Sequence, residues 1–255
     1  MTGPNPSFRS ARSPRARRIA RLAAVVSVAA IAIPARLVPV EGGGVAIAPG
    51  VVFDRGRNEV RIVARVACNS GFLEQLVCLA GTREHESLLS IEVPPSLVHA
   101  GLLAIGLEPG HPGRWWSDAD GSLRKEAPSG PEVEATVRRI RGNLVEEVDL
   151  RSWTEADDGS CLASPLVFAG SEIRPNPPSL VRIRGPGEHY VADFSGSVIG
   201  LATFGDELIA TGTVHPHRDD VAAPAYRSRT DAMPGPGTAV TLIIRPIPRP
   251  SDSVP

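Results

Sequence analysis

Apolar and polar residues alternate at period two over residues 51–54 and 59–67, as expected of strands that turn one face to a core. Residues 54–58 form the turn between them. Residues 73–79 continue as a strand after Asn69-Ser70-Gly71, and residues 87–93 follow with Leu89, Ile91 and Val93 on one face. The period then changes. Pro94-Pro95-Ser96 opens a helix, because proline is tolerated in a first turn whose amides lack helical partners anyway. Leu97, Val98, Leu102 and Ile105 recur at helical spacing, and Gly106 or Pro109-Gly110 ends the run.

Residues 132–140 and 143–150 read as two strands around an Arg141-Gly142-Asn143 turn. A short helix is expected over 152–158 and a strand over 165–171. Residues 174–187, with four prolines, read as a loop. Residues 188–194 and 197–203 read as a hairpin around Ser195-Gly196, residues 211–237 as an irregular loop, and residues 238–244 as a last strand before a Pro-rich tail ending at 255. These elements predict an α+β fold, β-rich, with a mixed or mostly antiparallel sheet and one principal helix at about residues 95–107.

Composition sharpens this picture at three points. Glycine and proline number 25 each in 255 residues, which favours turns over long helices. Aromatic residues are 4% of the chain, so the core should be aliphatic. The overall charge of −1 conceals two parts. Residues 1–35 hold six arginines, no acid, and then an apolar run from Leu22, the pattern of an export signal or an N-terminal membrane anchor. Either reading puts that segment in contact with a membrane. Residues 36–255 keep 21 basic residues against 28 acidic, a balance of −7 that argues against a nucleic-acid partner. Residues 36–49, rich in glycine, read as a linker.

Functional groups concentrate in Thr82, Arg83, Glu84, His85, Glu86 and Ser87, with His99 on the helix beyond. A histidine between two carboxylates can serve as ligand, acid or base. Cys78, His85, Glu86 and His99 together offer donors that suit a transition metal. The same residues are the only basis for a hydrolase, since Ser87 and Ser171 lie in no Gly-x-Ser-x-Gly elbow. An iron–sulfur cluster is not expected, because Cys68, Cys78 and Cys161 are three scattered cysteines where such clusters take four. His215-Pro216-His217 with Asp219-Asp220 is a second metal-like group, read as a solvated loop. Asp118-x-Asp120-Gly121 is too short for a calcium loop. Trp115-Trp116 can form a sticky surface or cover a sheet edge.

Three segments resemble the YdjY-type domain: Leu73-Glu74-Gln75-Leu76, the loop Gly81 to Ser87, and Val98 to Gly106. Leu166 to Ser171, Tyr190 to Asp193 and Ser195-Gly196 extend the resemblance over about residues 50–210. It implies a secreted or envelope protein and brings no defined chemistry with it. The resulting expectation is a non-catalytic module that binds a small ligand or an envelope partner through Thr82 to Ser87 and His99. A metal-binding or redox protein, and then a hydrolase, are the alternatives.

Overall fold

The computed structural model describes residues 43–248. The expected export signal or anchor, the first half of the expected linker (residues 36–42) and the last seven residues lie outside them; of the second half of that linker, Val45–Ala48 forms a strand. Eleven strands form one sheet: β1 (Val45–Ala48), β2 (Val51–Asp54), β3 (Glu59–Val66), β4 (Gln75–Leu79), β5 (Ser87–Ile91), β6 (Glu132–Arg141), β7 (Leu144–Asp149), β8 (Leu166–Phe168), β9 (Ser197–Gly200), β10 (Ile209–Thr211) and β11 (Ala239–Pro246). Three helices accompany them: α1 (Pro95–Ala104), α2 (Pro178–Arg184) and α3 (Val191–Ser195).

Eight of the strands close into a barrel in the order β3, β11, β6, β8, β10, β9, β4, β5 and back to β3. At the seam Ala64, Arg65 and Val66 pair with Ile91, Ser90 and Leu89. This closure corrects the α+β expectation. The protein is a β-barrel, and α1 is a ten-residue cover rather than the principal partner of an open sheet. Period-two alternation is the same in open and closed sheets, so the pattern alone cannot announce closure.

Strand length explains how the barrel carries its extra strands. One edge of β3 is shared, with Glu59 to Ile62 pairing β2 and Ala64 to Val66 pairing β5. One edge of β6 is shared in the same way between β7 and β8. The core is aliphatic, with Ile62, Leu76, Leu88, Leu89, Leu102 and Ile199 among its buried members and Trp153 and Phe168 as large aromatic additions. At Gly101 a β-carbon would lie 3.1 Å from Val60 Cγ1, so α1 lies tight against β3.

Two pairs in the barrel are parallel, β4 with β5 and β9 with β10. Parallel neighbours need a crossover. Here residues 80–86 and 201–208 provide them, and both are short. The polar loop picked out in the sequence is therefore the first of two barrel crossovers.

Other local expectations are also corrected. Residues 188–203 are not a hairpin: Glu188–Tyr190 pairs with Ile173–Pro175, α3 follows, and β9 leaves from Gly196. The loop over 174–187 contains α2. The helix expected over 152–158 is a 3-10 turn at Leu150–Trp153 that runs into a short strand, Thr154–Glu155. The three cysteines are unpaired, with Cys78 buried and Cys68 and Cys161 partly exposed.

Candidate functional site

The first crossover is tied down by its own side chains. Glu84 accepts from the Gly81 amide, which holds its carboxyl below the usual range, and Thr82 Oγ1 donates to the Leu79 carbonyl. Gly196, at φ +81°, gives Thr82 its space, because a β-carbon there would run into the Thr82 side chain. Ser87 is fully buried and donates to the Leu89 carbonyl. The His85 side chain is 73% exposed and meets the Glu86 carboxylate at 3.3 Å. The Arg83 guanidinium lies over the Phe204 ring, 3.8 Å from its centroid, and so joins the first crossover to the second.

His99 belongs to a different neighbourhood. Its Nδ1 lies 2.8 Å from the Tyr190 hydroxyl, which in turn donates to the Gly170 carbonyl at 2.8 Å. The hydroxyl has one proton and gives it to Gly170, so His99 is assigned as the Nδ1–H donor. Its ring stands edge-on to Phe168 and Tyr190. Burial holds His99 in its neutral form by lowering its pKa. Cys78 lies under Ser87 and Thr82, and burial pushes its thiol up. Of the four residues of the metal reading only His85 and Glu86 meet, and among the described residues no group of three or more His, Cys, Asp or Glu is arranged to hold a metal ion.

A groove of about 480 Å³ has Phe204 in its wall and is lined also by Arg114, Trp115, Trp116, Glu172, Arg174, Gly205 and His217. Trp115 and Trp116 come from a hairpin of Arg114–Ser117 with Leu123–Glu126. The Asp118 and Asp120 carboxylates hold its turn, accepting from Arg124 and Ser122. Thr203 is the bracket behind the rings: its carbonyl accepts from Trp115 Nε1 at 3.0 Å and from His217 Nδ1 at 2.9 Å. Phe204 stacks on His217 with centroids 4.5 Å apart. His217, read from the sequence as part of a solvated loop, is a wall of this groove.

Glu172 organises the polar side. It accepts from Arg114 at 2.7 Å and from Arg174 at 2.7 Å, and these two cations hold its carboxyl below the usual range against the opposing effect of burial. Ser171 sets Glu172 in place from a left-handed backbone, φ +56°, a conformation unusual for serine. Its hydroxyl donates to the Asp206 carbonyl and accepts from the Ala192 amide. Strain held in place by surrounding bonds is a feature of functional sites.

Two carboxylates beside the crossovers are shifted upward. Burial raises Glu74 to about 7, helped by the hydrogen bond and like charge of Glu86 and opposed by Arg83. Burial also raises Glu207 to about 7, helped by Asp206 and opposed by the Phe204 and Gly205 amides that it caps. Glu207 fits because Gly200 leaves room: a β-carbon there would lie 2.5 Å from Glu207 Cγ. Arg114, Glu172, Arg174, Phe204 and Glu207 were not singled out in the sequence. Trp115-Trp116 and His217 were the groove residues that the sequence had marked out.

A closed barrel with two tight parallel crossovers defines the class of domain. The chain belongs to the YdjY domain family, which matches residues 51–245, past the boundary near 210 that the sequence motifs suggested. No curated protein and no solved structure matches the chain. No helix among the described residues is long and apolar enough to cross a membrane.

Proposed function

We propose that this YdjY domain is a non-catalytic binding module of the cell envelope that takes an anionic ligand in the aromatic and arginine groove. One observation carries the reading: two guanidinium groups are fixed on the single carboxylate of Glu172 beside an exposed indole. The trio has a net charge of one positive unit, and each guanidinium keeps further N–H donors for a planar anion. The volume falls in the range of small-molecule sites. The loop Thr82 to Ser87 reaches this site through the contact of Arg83 with the Phe204 ring. The non-catalytic reading is supported by the state of the nucleophile candidates: Ser87 and Cys78 are buried, and the half-buried Ser171 hydroxyl is engaged with the Asp206 carbonyl and the Ala192 amide. Placement in the envelope rests on the basic and then apolar pattern of residues 1–35.

A thermal-shift titration of the full chain tests this reading. Small carboxylates should raise the melting temperature, and their neutral methyl esters should not. An Arg114→Gln/Arg174→Gln variant should lose the response. No stabilisation of the parent by any carboxylate, sulfate or phosphate would remove the anionic-ligand reading.

A further inference from the structure

The chemistry of the groove narrows the class of ligand. Resting on the binding reading above, we infer that the groove takes a saccharide bearing a carboxylate. Both indole N–H groups are already used inside the protein, Trp115 on the Thr203 carbonyl and Trp116 on Asp118. The rings therefore offer faces rather than hydrogen bonds. Trp115 is held edge-on to His217, and Trp116 remains 47% exposed. An exposed indole face in an open, wetted groove suits a ring with one C–H face and a hydroxylated edge. The C–H face gains dispersion and weak C–H contacts with the indole, while the hydroxyls stay hydrated.

The charge of the groove is as selective as its rings. Arg114 and Arg174 converge on one carboxylate, so the positive charge of the groove is gathered at Glu172. A ligand with one carboxylate beside its stacking ring matches that point. An acidic peptide carries its charges along an extended backbone, at roughly 3.3–3.6 Å per residue. The groove has no second cationic point to receive them. A volume of about 480 Å³ admits a short oligosaccharide.

Isothermal titration of the full chain with trigalacturonate, maltotriose and tetraglutamate tests the inference. Trigalacturonate should bind, with maltotriose and tetraglutamate at least about tenfold weaker. Trp116→Ala and Arg174→Gln change exposed side chains and should leave the melting temperature in place. Each should weaken trigalacturonate about tenfold or more, the loss expected of a stacking or charge anchor. Equal binding of maltotriose overturns the need for a carboxylate. Tighter binding of tetraglutamate, or no trigalacturonate binding by a protein that small carboxylates still stabilise, overturns the saccharide and leaves the anion site standing. Failure of every anion overturns both.

Discussion

At Gly196 the backbone sits at φ +81° and Thr82 fills the space that a side chain would take. Gly196→Ala therefore combines left-handed strain with a clash, and should cost about 2–4 kcal/mol in urea denaturation. Glu207 gives a test in pH. Its carboxyl is raised from 4.5 to about 7 in the fold, so the native state holds a proton that the unfolded chain has released. Stability from this group is complete below 4.5 and is lost as pH rises through 7. Relative to the parent, Glu207→Gln should gain about 2–3 kcal/mol between pH 5 and pH 8, read from denaturation midpoints at each pH. An advantage that did not change with pH would show that the buried carboxyl ionises normally. His99 acts with the opposite sign. Its lowered pKa costs stability as pH falls below 6.5, because the unfolded chain takes up the proton first. His85, by contrast, is a solvated side chain, and His85→Ala should move stability by no more than about 0.5 kcal/mol.

At the scale of elements, α1 starts without a capping side chain of its own, because Pro94 occupies the N-cap. Asp193 of α3 supplies the cap, accepting from the Ser96 amide at 2.7 Å and from its hydroxyl at 2.6 Å. Asp193→Ala should cost about 1–2 kcal/mol by thermal melting, and Asp193→Asn should recover part of it. This pairing was not legible in the chain, since 97 residues separate its two members. β6 was legible because one-sided burial writes itself into alternation; β3 alternates in residue type although Glu59 to Ile62 are all buried, and β7 was legible as the partner across the Arg141-Gly142-Asn143 turn. The three-residue strand β10 is too short to show a period, whereas β8 falls inside the strand expected over residues 165–171. α3 was misread because Val191-Ala192-Asp193-Phe194-Ser195 alternates like a strand, while Gly196 stops it as a helix end.

For the whole molecule, β11 is the strand to test. It pairs with β3 over Ala239 to Ile244 and with β6 over Thr241 to Pro246, so it joins the first and middle parts of the barrel. A chain ending at Thr238 should lose the cooperative thermal transition and the near-ultraviolet signal of buried Trp153. A retained sharp transition would mean that the remaining strands fold without closure.

The sequence by itself determined the spans that bury one face, the helix from Pro95, the family motifs and the position of a dense polar loop. These are local matters of periodicity, turn chemistry and residue type. Only the tertiary structure decided that β5 returns to β3 and closes a barrel, since closure depends on pairing between distant strands that alternation does not encode. It also separated His85 from His99 and made the polar loop a crossover. The groove joins residues 114–116, 172–174, 204–205 and 217, four segments that only the folded chain brings together. Trp115-Trp116 could be noticed in the sequence; the two arginines and the carboxylate that give those rings an anion to work with could not.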